Sequence, residues 1–213
     1  MKRPELPAWL EPQGDLLQRY ADILAGDGVD HGLIGPREIP RLWSRHLLNS
    51  AVVVDPAANL VPVGSTVADV GSGAGLPGLV WAIARPDLQV TLIEPLLRRA
   101  TFLTQAVEDL GISDKVTVLR GRGEEVKAVW GTFDIVTARA VAPLGKLLGW
   151  TVPLLHQGGR LLAMKGQSVA GEIESAAPEI KQYGLSNVEI ILIGSPWVDP
   201  ATTVVSATRG ATQ

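Results

Sequence analysis

The chain has 213 residues, a formal net charge of −3 at pH 7 and a sequence pI of about 5.6. This acidic balance argues against a protein that holds nucleic acid through bulk positive charge, although it leaves room for a local basic patch. The absence of cysteine excludes disulfides, thiolate metal sites and a cysteine nucleophile, and the three histidines lack metal-ligand spacing. Without a signal peptide or a run of about 20 apolar residues, we expect a cytoplasmic protein that does not span a membrane.

Two helices are predicted before the first strand. Residues 15–26 carry apolar side chains three and four positions apart, which predicts a short amphipathic helix, and residues 26–35 are predicted as a loop. Residues 36–54 predict a second helix. Pro40 must lie in its first turn, because an interior proline would break the backbone hydrogen-bond ladder.

The second predicted helix carries a basic stripe. Arg37, Arg41 and Arg45 recur every four residues, so they share one face if the segment is helical, and His46 lies beside them. Such a stripe is either a solvated surface or, in an otherwise acidic chain, a rim that binds phosphates. The sequence leaves both interpretations open.

From Thr66 onward, apolar strand patterns alternate with helical patterns, which predicts an α/β fold with a mostly parallel sheet. The last two strands have no helix between them and must pair antiparallel, which is the plan of S-adenosylmethionine (SAM) methyltransferases rather than of dinucleotide dehydrogenases. We expect a helical extension over residues 1–60 and one compact domain over residues 61–213. The predicted strands cover residues 67–70, 89–93, 115–119, 133–137, 160–164, 187–193 and 202–208, and the later helices begin near Pro77 and cover residues 96–110, 144–155 and 172–183.

A glycine-rich turn follows the first predicted strand. Asp69 to Gly78 reads D-V-G-S-G-A-G-L-P-G, and its last three glycines match G-x-G-x-x-G. Glu94 follows by about 20 residues, where a dinucleotide fold carries its ribose-binding acid. The same pattern, with an acid before the glycines, is typical of SAM methyltransferases. A tight turn that binds no ligand is the third interpretation, and the motif alone does not choose among them.

Ligands of open α/β sheets bind beyond the carboxyl ends of the strands, so the residues there are the candidates. Glu94 is expected to accept both ribose hydroxyls, or else to stabilise a helix N-terminus. The guanidinium of Arg139 suits a ligand carboxylate, a phosphate or a structural acid such as Asp69. Lys165 either contacts a phosphate or extends to solvent. The remaining candidates at these strand ends are Gly71, Gly73, Gly75, Leu76, Gly123 and Glu124, with Arg98 and Arg99 near the mouth of the cleft.

The chain contains no evident Ser-His-Asp set and no Tyr-Lys pair suited to hydride chemistry. Methyl transfer to a good lone pair requires neither, because alignment of the nucleophile, the methyl carbon and the sulfonium supplies most of the catalysis. The sequence therefore favours methyl transfer. A nicotinamide adenine dinucleotide (NAD)-dependent oxidoreductase and a non-catalytic SAM-binding module remain as alternatives.

Four motifs of the chain are informative together: D-V-G-S-G-A-G-L-P-G (residues 69–78), R-H-L-L-N-S (residues 45–50), A-R-A-V-A-P-L (residues 138–144) and M-K-G-Q (residues 164–167). In order and spacing they resemble the RsmG (GidB) family, and the similarity extends over residues 15–209. The stretch A-R-P-D-L-Q-V-T-L-I-E-P-L-L-R-R is similar to the actinobacterial branch, whereas G-L-I-G-P-R departs from the L-N-L-T-type stretch of many relatives.

This resemblance implies a SAM-dependent methyltransferase that acts on N7 of one guanosine in 16S ribosomal RNA of the small ribosomal subunit. We expect a monomer that needs no metal. The implied SAM contacts are Gly71, Leu76, Glu94, Gly123, Glu124 and Arg139, and Asp69, Gly73 and Gly75 complete the predicted cofactor site. We expect catalytic roles for Arg139, Lys165 and His46, and RNA contacts at Arg41, Arg45, Arg98, Arg99 and Lys165.

Overall fold

A seven-stranded sheet forms the centre of the protein in a computed structural model that describes residues 2–139, 141–166 and 168–210. The strands are β1 (Thr66–Val70), β2 (Gln89–Glu94), β3 (Val116–Arg120), β4 (Phe133–Arg139), β5 (Leu155–Lys165), β6 (Leu185–Ile193) and β7 (Thr202–Arg209). Their order in the sheet is β3-β2-β1-β4-β5-β7-β6. Strands β1 to β5 pair in parallel, whereas β7 pairs antiparallel with both β5 and β6. The predicted fold class, including the final antiparallel pair, is confirmed.

Helices cover both faces of this sheet and bury two apolar cores. One core joins the N-terminal helices to the helices Gly78–Ala84 and Leu97–Leu110, and the other joins the helices Leu144–Thr151 and Val169–Ser175 to the opposite face. Within the described residues, none of the helices has the length and apolar character needed to cross a membrane. The helices are α1 (Gly14–Ala25), α2 (Asp27–Asp30), α3 (Asn49–Ala51), α4 (Gly78–Ala84), α5 (Leu97–Leu110), α6 (Leu144–Thr151), α7 (Val169–Ser175) and α8 (Ala177–Gln182).

The N-terminal segment, which comprises residues 2–60, is helical but only partly α-helical. The predicted second helix consists of a 3-10 helix at Pro36–Arg41, a π-helix at Leu42–Leu48, then α3 and a 3-10 helix at Val52–Val54. Its arginines therefore do not follow the α-helical period that the predicted stripe assumed. The predicted loop at residues 26–35 is wrong at α2.

Buried hydrogen bonds help to tie this segment to the sheet domain. The Tyr20 hydroxyl donates to the Ala74 carbonyl at 2.6 Å, and the Trp81 indole donates to the Ser50 carbonyl at 2.9 Å. Both interactions are buried. They fix the first helices against the glycine turn and α4, while a domain boundary at residue 60 stays a prediction.

Several predicted element boundaries are wrong. Strand β5 begins at Leu155, five residues before the predicted start at residue 160, and its pairing with β4 shifts register between Phe133 and Ile135. The helix predicted over residues 144–155 accordingly ends at Thr151. Gly158 has a φ of +85°, which glycine adopts without strain. The predicted helix over residues 172–183 is divided between α7 and α8, because Pro178 starts a new helix at its first turn.

Candidate active site

The turn after β1 depends on glycine for its backbone shape. Gly71, Gly73 and Gly75 have φ values of +71°, +58° and +94°. A Cβ atom added to Gly71 would lie 2.7 Å from Cγ1 of Val141, and one on Gly75 would lie 2.5 Å from Cδ1 of Leu79. The positive φ angles and the close neighbours together explain why the sequence has glycine at these positions.

Asp69 braces this turn from inside the core. Its Oδ2 accepts a hydrogen bond from the Gly78 amide at 3.0 Å, where α4 begins. The side chain is fully buried, and its Oδ1 has no hydrogen-bond partner. Burial raises the pKa of Asp69 to about 7. The structure thus places this predicted cofactor residue behind the turn, where it holds the backbone.

Glu94 closes the turn from the end of β2. Its Oε2 accepts from the Gly73 amide at 2.9 Å, and its Oε1 accepts from the Leu96 amide at 3.0 Å. Each carboxylate oxygen retains a second acceptor position, so these contacts leave capacity for a ligand hydroxyl. Leu76 lies further along the turn, where its amide donates to the Ser72 carbonyl at 3.1 Å.

A first cleft of about 390 Å³ opens beyond β1, β2 and β3. Glu124 lies at its wall with Oε2 buried and without a hydrogen-bond partner, a costly arrangement that a ligand N–H or O–H would relieve. The Gly123 carbonyl accepts from the Trp130 indole at 3.2 Å, which fixes this loop. The predicted cofactor residues Gly71, Glu94, Gly123 and Glu124 line this first cleft, together with Arg99, Val141 and Trp150.

A second cleft of about 910 Å³ lies over β4, β5 and the antiparallel pair. Arg139 lines this cleft and Val141, two residues further along the chain, lines the first one, which places the two clefts side by side just beyond the end of β4; we call this place the junction of the two clefts. The second cleft also contains Arg41 and Arg45, both exposed, on one wall and Ile190 and Leu192 on another. The basic residues of the N-terminal segment thus face the same space as Arg139.

Arg139 is held by the N-terminal segment through several hydrogen bonds. Its guanidinium donates to Oγ of Ser50 at 3.2 Å and to Nδ1 of His46. It also faces the carbonyl of Arg45 at 3.4 Å and that of His46 at 3.5 Å. Because a guanidinium can only donate, Nδ1 of His46 must be the acceptor, which leaves the proton of the neutral ring on Nε2.

The other ring nitrogen of His46 contacts Glu38, a residue that the sequence analysis did not single out. Nε2 of His46 lies 3.0 Å from Oε2 of Glu38, and Arg45 lies 3.9 Å from the same carboxylate. Burial, followed by the charge of Arg139, lowers the pKa of His46. Burial likewise lowers the pKa of Arg139. Glu38 lies in the 3-10 helix Pro36–Arg41, and no sequence pattern predicts that this helix brings its carboxylate to His46.

Lys165 is present in the second cleft but its ammonium group is already paired. Its Nζ lies 2.7 Å from Oε2 of Glu172 and donates to the Ala142 carbonyl, and only 5% of its side chain is exposed. The same Glu172 oxygen accepts from the Leu144 amide at 2.9 Å, so it also fixes the start of α6. A catalytic or RNA-binding role of Lys165 stays a prediction.

The other predicted basic contacts differ in their surroundings. Arg99 lines the first cleft, whereas Arg98 points back to the N-terminal segment and donates to the Asp30 carbonyl at 3.3 Å. Among the described residues, no group of three histidine, aspartate or glutamate side chains is arranged to hold a metal ion.

The sheet order, the glycine turn and the acid at the end of β2 define a Rossmann-like methyltransferase fold. The crystal structure of "a predicted O-methyltransferase" from Agrobacterium tumefaciens superposes with a TM-score of 0.56 at 24% sequence identity, covering 78% of this chain and 80% of that chain. This likeness concerns the fold.

The sequence places the chain more narrowly. It matches the family described as "GidB: rRNA small subunit methyltransferase G" over residues 13–195, and it belongs to that family. The "Ribosomal RNA small subunit methyltransferase G" of Thermobifida fusca (strain YX) is 58% identical over 191 residues, covering 90% of this chain and 78% of that protein. The protein of the same name from Renibacterium salmoninarum is 53% identical over 197 residues, covering 92% and 89%. The resemblance read from the motifs is therefore confirmed.

Proposed function

We propose that this protein uses SAM to methylate N7 of a specific guanosine in 16S ribosomal RNA of the small ribosomal subunit. The observation that carries the proposal is the meeting of two clefts at the end of β4, one beside the glycine turn and the other beside Arg139 and exposed arginines. Membership of the methyltransferase G family supports the identity of the substrate.

The first cleft fits the chemistry of the cofactor. Glu94 has acceptor positions for the two ribose hydroxyls, and the unpartnered Oε2 of Glu124 suits a donor such as an exocyclic amine. Gly71 has no side chain of its own, so its backbone forms part of the wall of this cleft. When bound, SAM supplies a methyl group activated by its sulfonium centre. Asp69 supports this site indirectly by holding the start of α4.

The proposed reaction requires positioning more than proton transfer. N7 of guanine has an in-plane lone pair and carries no proton, so a general base is unnecessary. Consistent with this, both nitrogens of His46 are already engaged, and Arg139 is fixed at the junction of the two clefts. The catalytic contribution we assign to Arg139 is to orient the reactants at that junction.

The second cleft supports recognition of structured RNA. Arg41 and Arg45 offer exposed cations for phosphates, while the chain as a whole carries a net charge of −3. An acidic protein with a local basic wall is suited to a folded ribonucleoprotein surface rather than to arbitrary RNA. We propose that the protein acts on this ribonucleoprotein surface as a cytoplasmic monomer. Analytical ultracentrifugation at micromolar protein concentration tests the oligomeric state.

Calorimetric titration with SAM, its demethylated product and NADH tests the cofactor. We expect binding of SAM and of the product, and no heat from NADH. Binding of NADH alone would overturn the proposal and favour an oxidoreductase. Binding of SAM without methylation of any small-subunit RNA would instead favour a non-catalytic SAM-binding module.

A further inference from the structure

A chain of three polar side chains links the N-terminal segment to the junction of the clefts. Glu38 accepts from Nε2 of His46, and Nδ1 of His46 accepts from Arg139, which also donates to Ser50. His46 is largely buried, with 13% of its side chain exposed, and Glu38 is 32% exposed. These residues come from three different parts of the fold: a 3-10 helix, a π-helix and the end of β4.

We infer that Glu38 and His46 are positioning residues that hold the guanidinium of Arg139 in its productive orientation, with Glu38 stabilising the tautomer of His46 that Arg139 requires. The inference rests on the proposed function, because it assigns the orientation a role in methyl transfer. His46 thereby acts through Arg139 and not on the reacting atoms, which revises the catalytic role expected from the sequence.

The chemistry of the contacts fixes the direction of the chain. Arg139 has no acceptor, so it is compatible only with a His46 ring whose Nδ1 lone pair is free. The carboxylate of Glu38 has no donor at neutral pH and therefore favours the proton on Nε2. The opposite tautomer would direct an N–H toward the guanidinium and leave both contacts unmade. Arg139 thus requires the lone pair of His46 on Nδ1, and Glu38 adds the acceptor that keeps the proton on Nε2.

The surrounding charges act on the same three groups. Arg41 and Arg45 on the N-terminal segment lie near Glu38, and Asp69 and Tyr20 interact with Arg139 from the core. Protonation of His46 would place a cation against Arg139 and remove the Nδ1 lone pair. Burial and the charge of Arg139 both oppose this protonation by lowering the pKa of His46, whereas Glu38 raises it. The neutral ring is therefore the form that the site stabilises at neutral pH.

The π-helix is part of this arrangement. Besides the His46 ring, the carbonyls of Arg45 and His46 face the guanidinium of Arg139, so backbone and side chain of one turn surround it together. π-Helical turns occur frequently at functional sites, where they re-aim groups that an α-helix would direct elsewhere. A socket built from backbone and side chains holds the planar guanidinium in one orientation.

Two pairs of variants test the inference in methylation assays on small ribosomal subunits. In His46→Asn the amide lies where Nδ1 was and can accept from Arg139, whereas in His46→Gln it extends toward the Nε2 position. We expect a kcat about 100-fold below wild type for His46→Gln, the loss typical of a misplaced reacting geometry, and a kcat within about 10-fold for His46→Asn. Equal losses in the two variants would overturn the inference.

The second pair isolates Glu38. Glu38→Ala removes the acceptor for Nε2–H and should lower kcat by about 10-fold, and Glu38→Gln, whose amide oxygen still accepts, should recover most of that loss. KM for subunits and the denaturation midpoint should change little in either variant. Glu11→Gln, which alters an exposed ion pair with Arg3, is the matched control and should keep wild-type kcat. Wild-type kcat in Glu38→Ala would contradict the inference.

The tautomer is also measurable without activity. The sequence has three histidines, so ¹⁵N spectra of the labelled protein resolve the ring nitrogens of His46 by comparison with His46→Asn. We expect the Nε2–H form in the wild type at neutral pH and a smaller population of this form in Glu38→Ala, where the contact with Arg139 alone favours it. An Nδ1–H or protonated ring in the wild type would overturn the inference. Failure of the wild type to methylate subunits would instead count against the proposed function alone.

Discussion

Glu94 and Gly73 are joined by a hydrogen bond of 2.9 Å from the glycine amide to Oε2 of the carboxylate, so the end of β2 is tied to the turn after β1. The other carboxylate oxygen accepts from the Leu96 amide just before α5. A single acid therefore sets the spacing of two loops that line the first cleft. In the proposed function it also meets the cofactor, so it combines a structural and a binding role.

Replacement of Glu94 should weaken both roles. Glu94→Ala leaves two backbone N–H groups without their acceptor, at a cost of about 1–3 kcal/mol each where they stay away from water. We expect a lower free energy of unfolding and at least about 10-fold weaker SAM binding by calorimetry. Glu108→Ala, at an exposed position of α5, is the control. Unchanged SAM affinity in Glu94→Ala would show that the carboxylate does not contact the cofactor.

Asp69 should make stability depend on pH. Its folded pKa of about 7 lies above the unfolded value of about 3.9, so folding favours the protonated acid. Its contribution to stability is complete below about pH 4 and is lost as the pH rises through about 7. The partnerless Oδ1 agrees with a neutral carboxyl, since a buried anion leaves such an atom unsolvated at greater cost.

Asp69→Asn keeps an acceptor for the Gly78 amide and removes the titration. The free energy of unfolding of the variant, relative to wild type, should therefore rise between about pH 5 and about pH 8. Chemical denaturation at several pH values measures the difference, and Asp109→Asn, at an exposed position of α5, serves as control. A difference that stays constant over this interval would contradict the raised pKa.

Lys165 should prove important for stability through Glu172. Lys165→Met leaves the Glu172 carboxylate with the Leu144 amide as its remaining partner, and we expect a loss of about 2 kcal/mol in the free energy of unfolding. Lys165→Met combined with Glu172→Gln should recover part of this loss, which a double-mutant cycle measures. If Lys165 contacts RNA instead, the single variant keeps wild-type stability and raises KM for subunits.

Arg41 and Arg45 should contribute to RNA binding through phosphates. Replacing both by alanine should reduce the dependence of log Kd on log salt concentration by about 0.7–0.9 per lost contact, with SAM affinity unchanged. Filter binding of small subunits at several salt concentrations measures the slope. Lys2→Ala combined with Lys181→Ala removes the same number of charges at two exposed lysines and is the control for total charge. Equal slopes for the double variant and this control would remove the two arginines from the interface.

Much of the fold could be predicted from the sequence because its signals are local. The glycine turn and the acid at the end of β2 follow from spacing and backbone rules. The helix predicted over residues 96–110 ends where Gly111 follows with a φ of +72°, a conformation that commonly ends helices. The antiparallel final pair followed from the missing helix between two apolar runs. These features depend on few neighbours along the chain.

The parts that were missed depend on tertiary contacts. The π-helix at Leu42–Leu48 packs four buried apolar side chains while it presents His46 to Arg139, a compromise that no local pattern encodes. Lys165 is buried because it pairs with Glu172 on α7, a helix whose start was predicted three residues late. The pairing depends on how α7 packs against the end of β5, which the local sequence does not show. The motif alone also does not show that Asp69 is fully buried and accepts a hydrogen bond from the Gly78 amide.

The most direct test is to incubate the purified protein with SAM carrying a labelled methyl group and small ribosomal subunits that lack the modification. The digested 16S RNA is then mapped for the label. The account predicts a single labelled guanosine methylated at N7, and a loss of label when Arg139 is replaced by alanine in a protein that remains folded. Label on protein, on other RNA or at another base atom would contradict it, as would unmodified RNA in the presence of bound SAM.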